Sequence, residues 1–293
     1  MWFGSALPIT AFNDVAMVKD YAQALESAGF DFTSTSGHIM AQPPATNPQR
    51  PDRQYVGPFY DPFVTFSYLS AVTTKLRFIT SILILPAWPT VLLAKQAAEL
   101  ALFSGGRFEL GVGVSWNPAE YQALGQNVHD RGRRIEEQIE VLRLLWSQPF
   151  VTFDGRYHKL DKVGINRGPL PPIPLWFGSE TGERALRRVA RLADGWMSLG
   201  DPSADLPRLR TYMQEAGRDP ATLKVRGPLM AGDGGEAAWI QAGKKLQAAG
   251  VTHINITPPL DLTPAQGLQR VIAARKVLAE ALDHEHRAPR GTE

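Results

Sequence analysis

Residues 104–121 read Ser-Gly-Gly-Arg-Phe-Glu-Leu-Gly-Val-Gly-Val-Ser-Trp-Asn-Pro-Ala-Glu-Tyr, and they decide the fold. Ser104-Gly105-Gly106-Arg107 reads as the turn that ends a helix. An apolar strand, Phe108 to Val114, follows and runs into a polar, kinked segment. Gly111 and Gly113 remove side chains where the backbone must approach something flat or anionic. A second Gly-rich turn, Trp176-Phe177-Gly178-Ser179-Glu180-Thr181-Gly182, follows the next strand and opens a helix. Free N–H groups and the helix dipole can make such a start an anion site, or it is an ordinary Gly/Thr-capped loop. The two segments together predict strand ends that hold a phosphorylated, planar cofactor.

Working outward, the same pattern repeats along the chain. The predicted strands are Phe3 to Ile9, Phe30 to Ser36, Leu76 to Leu83, Phe108 to Val114, Pro174 to Gly178, Gly195 to Leu199, Leu223 to Gly227 and Thr252 to Ile256. Continuous apolar runs of this kind belong to parallel strands buried on both faces. Amphipathic helices separate them. Val15, Val18, Tyr21, Ala22 and Leu25 mark the first, capped by Asn13 or Asp14. Ile135, Ile139, Leu142, Leu145 and Trp146 mark another, and Leu186, Val189, Ala190 and Ala193 a third. The alternation predicts an α/β chain folded as a (β/α)₈ TIM barrel. A doubly wound open sheet is the alternative.

Two stretches exceed a minimal barrel. Gly37 to Asp61, after the second strand, is rich in proline. Trp146 to Pro174, before the fifth, contains a hairpin-like run, Phe150 to Tyr157, around Asp154-Gly155. Loops this long are commonly lids. One barrel domain is expected over residues 1–282, with a polar, frayed tail over 283–293.

Composition excludes several classes. The chain has 293 residues, 44% of them hydrophobic, enough for one barrel of about 250 residues. With 31 basic and 29 acidic residues its formal charge is +2, which gives no reason to propose nucleic acid or membrane partners. Absence of cysteine excludes disulfides, thiolate nucleophiles and Cys-ligated metal, and suits a reducing cytosol. The N-terminus lacks the pattern of a signal peptide. The most apolar stretch, Phe78 to Ala94, is broken by Pro86 and Pro89 and is too short to span a bilayer. The expectation is a cytoplasmic enzyme without a metal.

Several residues could carry chemistry. His38, just beyond the second strand, stands where a barrel places proton donors and acceptors, or is a solvated loop histidine. Thr80 and Ser81 bond within the barrel or face a ligand at its mouth. Trp116 walls a pocket or packs under a lid. Arg184, Arg187 and Arg188 put positive charge near the Gly178–Gly182 turn. His129, Arg131, Arg133 and Arg134 reach a phosphate or pair with neighbouring carboxylates. No metalloprotease helix, P-loop or nucleophile elbow is present.

These residues resemble a known family. Gly29-Phe30-Asp31 leading to His38, Leu76 to Ser81, Pro89 to Gln96, Leu102 to Trp116, Arg131 to Arg134, Pro174 to Gly178 and Ala185 to Trp196 are similar to the bacterial luciferase-like flavin and deazaflavin oxidoreductases. The likeness is greatest to the coenzyme F420-dependent branch. It implies a barrel, a homodimer, and a cofactor ring at the C-terminal mouth. It also implies a non-proline cis peptide at Ser81-Ile82 supporting the ring. Gly111, Val112, Gly113, Val114 and Ser115 would line the ring edge. Gly178, Ser179, Glu180 and Thr181 would hold cofactor phosphate, and His38 would meet the reacting end.

Two departures bear on substrate. Sugar-phosphate dehydrogenase members carry Asp where this chain has Gly37, and Glu near Trp116. Loss of both carboxylates favours reduction of a C=C or C=N bond over alcohol oxidation, with Trp116 in the substrate pocket. The alternatives are an FMN-dependent monooxygenase and a non-catalytic binding barrel.

Overall fold

The computed structural model describes residues 1–8, 14–40, 59–166, 169–179 and 181–282. Most of the proline-rich stretch after the second strand, Ile9 where the first strand was expected to end, Glu180 and the tail 283–293 lie outside the described residues. In chain order the elements are β1 (Trp2–Ala6), α1 (Val15–Ser27), β2 (Phe32–Gly37), α2 (Pro62–Val72), β3 (Arg77–Ile84), α3 (Thr90–Phe103), β4 (Phe108–Gly113), α4 (Pro118–Ala123) and α5 (Arg131–Ser147). They continue with β5 (Val151–Asp154), β6 (Lys159–Val163), β7 (Leu175–Ser179), α6 (Glu183–Leu192), β8 (Gly195–Ser198), α7 (Leu206–Glu215), β9 (Lys224–Met230), α8 (Gly235–Ala249), β10 (His253–Thr257) and α9 (Pro264–Ala281). Eight strands close a barrel in the order β1-β10-β9-β8-β7-β4-β3-β2, as the apolar runs predict, and β5 and β6 form a separate hairpin. Among the described residues no helix is long and apolar enough to cross a membrane.

Two compact units divide these residues. The first contains Met1–Ser34, Val72–Ile79 and the described residues from Gly178 onward. Within it β1 pairs in parallel with β2 and β10, and β9 with β8 and β10. Asp14 caps α1 by accepting from Ala16 N, and Val18, Tyr21, Ala22 and Leu25 are buried as expected. Val15, the first residue of the helix, is exposed instead. The seventh barrel strand runs past the expected Gly227 to Met230 and includes Pro228. The register with β8 runs to Arg226, while that with β10 continues through Asn255↔Pro228. A proline is tolerated where only one side of a strand is paired.

The second unit contains Thr35–Ala71 and Thr80–Phe177. All six residues of β4 are buried. Each large apolar side chain there contributes roughly 1.5–3 kcal/mol on burial. Thr80 Oγ1 donates to Gly111 O at 2.7 Å and accepts from Gly111 N at 2.8 Å, so this hydroxyl bonds within the barrel. Gly105 and Gly106 take φ of +64° and +77° and end α3, with Gly106 N donating to Ala101 O. That left-handed conformation explains the glycine pair.

The hairpin differs from expectation. Its strands are β5 and β6, with Gly155 to His158 in the turn, so the second strand begins two residues after the expected Phe150–Tyr157 run ends. Glu137 on α5 explains the shift. Its carboxylate accepts from Arg156 N, Tyr157 N and His158 N at 2.9, 2.7 and 2.8 Å, holding them out of the ladder.

Candidate active site

β2 ends at Gly37, and a Cβ at this position would stand 3.0 Å from both Ile82 O and Leu83 Cα. A side chain here would need the β3 backbone to give by a few tenths of an ångström. The Ser81–Ile82 peptide of β3 is cis. Ile82 packs on a cluster formed by Ile84, Ala87 and Tyr121. Tyr121, on α4, donates its hydroxyl to Val114 O at 2.6 Å, just beyond β4. Burial, chiefly, pushes the Tyr121 phenol far above its ordinary range, so it remains a donor. Contacts within one unit thus join the ends of β2, β3 and β4.

His38 follows β2 directly. Its Nδ1 lies 3.0 and 3.2 Å from the two carboxylate oxygens of Glu120, and Ile39 N donates to Glu120 Oε1 at 3.0 Å. The Glu120 side chain is fully buried and the His38 side chain 16% exposed. The His38 ring also meets Phe59 at 5.5 Å. Glu120 was not among the residues expected to act, and it corrects the reading that carboxylates are missing here. The acid expected near Trp116 stands four residues later, on α4. Asn117 caps that helix by accepting from Ala119 N at 3.1 Å, and Pro118 follows. A glutamate three residues after such a cap reads as an ordinary helix start. Here the carboxylate reaches the β2 end instead.

The other expected residues take these places. Gly111, Val112 and Gly113 are buried within β4. Val114 and Ser115 follow it, and Ser115 has φ of 52°, a conformation uncommon outside glycine. Trp116 is half-buried. Gly178 and Ser179 are the last residues of β7, and Ser179 Oγ accepts from Trp196 Nε1 at 3.2 Å. Thr181 is exposed just before α6, whose cap, Gly182, makes no side-chain bond. Glu180 lies outside the described residues.

The basic residues take the following places. Arg187 bonds Glu183 at 2.8 Å and Glu215 at 2.6 Å and lies over the Tyr212 ring, so its charge is matched locally. Arg188 is buried and Arg184 exposed. Arg134 pairs with Asp130 at 2.9 Å, the ion-paired helix start. Among the described residues no cluster of acidic or histidine side chains could hold a metal.

Comparison with known proteins gives this geometry a context. The family model described as luciferase-like monooxygenase matches residues 2–291. An uncharacterised protein of Mycobacterium tuberculosis is 37% identical over 219 residues, 71% of this chain and 75% of that one. The F420-dependent hydroxymycolic acid dehydrogenase of the same organism is 28% identical over 228 residues, 76% of this chain and 60% of its own length. The FMNH2-dependent dimethylsulfone monooxygenase of Pseudomonas fluorescens is 33% identical over 182 residues, 61% of this chain and 46% of its own. An F420-dependent secondary alcohol dehydrogenase shares the fold at a TM-score of 0.78 and 17% identity, over 94% of this chain and 98% of that one. By its sequence match and its barrel, this chain belongs to the luciferase-like monooxygenase family and is an oxidoreductase.

Proposed function

We propose that this protein transfers a hydride between coenzyme F420 and a small organic substrate, and that His38 and Glu120 handle the accompanying proton. The observation that carries the reading is the buried Glu120 carboxylate bonded to His38 Nδ1 just beyond β2. Barrel enzymes place their chemistry at this end of the strands.

The residues present suit a flat ring with polar edges. Gly111, Val112 and Gly113 offer buried backbone with no side chain larger than valine. Thr35 Oγ1 is buried with no partner among the described residues, three residues before His38. Gly178 to Thr181 precede the uncapped start of α6, which suits a phosphate. When bound, F420 supplies the hydride at the deazaflavin C5.

Glu120 fixes the imidazole by holding Nδ1, so proton exchange falls to Nε2. In the reducing direction His38 gives its proton to one end of the double bond while the other end is reduced. We favour this direction, and a C=C or C=N substrate. Gly37 cannot take a carboxylate without moving β3, and Glu120 is engaged in orienting His38. Trp116 then belongs to the substrate pocket.

An FMN-dependent monooxygenase is the second reading, favoured by the likeness to the dimethylsulfone enzyme. Titration with F420 and FMN, followed by turnover, separates the two. Saturable F420 binding with hydride transfer is the expected result. Oxygen uptake with reduced flavin overturns it, and binding of neither cofactor points to a non-catalytic barrel.

A homodimer is part of the same proposal. α2 exposes Val64 and Tyr68, and α3 exposes Val91, Leu92, Leu102 and Phe103. Apolar residues concentrated on two helices suit a self-complementary interface.

A further inference from the structure

Glu120 and Tyr121 are neighbours on α4, and each holds the end of a different strand. Glu120 bonds His38 and Ile39 N just beyond β2, while Tyr121 donates its hydroxyl to Val114 O just beyond β4. Successive residues on a helix point about 100° apart, so one short helix can serve two strand ends. α4 has six residues, far fewer than the roughly 12–15 that let an isolated helix persist. Its tertiary contacts therefore fix it. Tyr121 is 1% exposed and packs with Ile84 and Ala87.

The segment between β4 and α4 needs such support. The register of β4 with β7 runs to Val112↔Phe177, and Val114 O lies beyond it. The Tyr121 hydroxyl meets this carbonyl at 2.6 Å from seven residues along the chain. The next residue, Ser115, takes φ of 52°, a conformation that a non-glycine residue keeps where its surroundings impose it. Two further bonds close the turn. Asn117 N donates to Ser115 Oγ at 3.3 Å, and Ala119 N to Asn117 Oδ1 at 3.1 Å. Asn117, Glu120 and Tyr121 are buried, whereas Val114, Ser115 and Trp116 are half-buried. The groups that hold the turn are therefore shielded from water, and the turn itself keeps surface for a ligand.

We propose that Tyr121 is a positioning residue for the cofactor: by holding Val114 O it shapes the Val114–Ser115 turn and sets how tightly the ring is bound, while its neighbour Glu120 governs the proton. The proposal rests on the reading of Gly111 to Ser115 as the ring wall. Without the hydroxyl, Val114 O loses this partner and the turn samples other conformations. Binding must then select the shaped turn from among them. Apparent affinity falls by the fraction lost, and the assembled complex reacts as before.

The test sets Tyr121→Phe beside the wild type, both as the full chain. Its F420 dissociation constant should rise by roughly 3- to 10-fold, the span of one neutral hydrogen bond. The single-turnover rate at saturating F420 should stay within about twofold, with an unchanged pH profile, the converse of Glu120→Gln. In the cofactor-free protein, amide hydrogen exchange at residues 115–117 should quicken. Ile84→Val trims the same cluster and keeps the hydroxyl. It should lower the melting temperature and leave affinity unchanged, which separates positioning from a general loss of stability. Equal affinity in the wild type and Tyr121→Phe overturns the proposal, as does unchanged exchange or an equal weakening in Ile84→Val. If the wild type binds FMN in place of F420, the F420 reading falls and the same comparison made with FMN decides the role of Tyr121. Binding of neither cofactor by the wild type overturns both.

Discussion

Replacing Glu120 by glutamine tests the proposed proton relay directly. Glu120→Gln keeps the shape of a fully buried side chain that accepts from His38 Nδ1 and Ile39 N. Glutamine retains one oxygen acceptor and loses the negative charge. A hydrogen bond to a charged group contributes about 1.5–3 kcal/mol net. At about 1.36 kcal/mol per tenfold in rate, that predicts a loss of roughly 10- to 150-fold. The assay is single-turnover hydride transfer followed at the deazaflavin absorbance, beside an F420 titration. The single-turnover rate should fall in that range while the F420 dissociation constant stays within about twofold, because in the proposed relay Glu120 acts on the histidine and not on the cofactor. His38→Ala should lose at least as much. The double variant should lose no more than His38→Ala alone, since a group that acts only through another adds nothing once that other is gone. A wild-type rate in Glu120→Gln, or losses that multiply in the double variant, would refute the relay.

Other outcomes follow from single contacts. Gly37→Ala puts a Cβ 3.0 Å from Ile82 O and Leu83 Cα, and overpacking of this kind costs about 1–3 kcal/mol; urea denaturation with unchanged stability would show that β3 can yield. Phe103→Asp should convert a dimer to monomer in light scattering, and a dimer that persists would move the interface away from α3. His253 is buried, and burial, aided by Lys224 and Arg226, holds its pKa well below the ordinary value of 6.5. The unfolded chain therefore binds a proton below about pH 6.5 that the native protein does not, and stability falls by about 1.4 kcal/mol per pH unit on acidification. His253→Phe should flatten that slope; an unchanged slope would assign the acid sensitivity to other groups.

The barrel is legible because its signal is local. Several of the parallel strands are short apolar runs, and Phe108–Gly113 is buried throughout, a pattern that needs no knowledge of partners. Helix faces behave the same way: Ile135, Ile139, Leu142, Leu145 and Trp146 are all buried. Departures occur where a distant group intervenes. The hairpin turn is set by Glu137, 17 residues before Asp154, whose burial raises its carboxyl pKa but is outweighed by bonds from His158 and the backbone of Tyr157, Arg156 and His158. The extra length of β9 depends on where β8 stops pairing.

The candidate site was half legible for the same reason. His38 is conspicuous because a histidine at a strand end has few structural uses. Glu120 is hidden in Asn117-Pro118-Ala119-Glu120, a sequence that local rules explain completely as a capped helix start. Its acidity looks like compensation for a dipole, so nothing marks it as a partner for a residue 82 positions away. A signal was nonetheless available. The family resemblance leads one to expect acids near Gly37 and Trp116, and a histidine that moves protons at a barrel mouth needs something to hold one ring nitrogen. The first acid beyond the fourth strand is Glu120. In this chain a carboxylate on the helix after β4 bonds His38 Nδ1. That pairing is visible only when the strand and the helix are seen together.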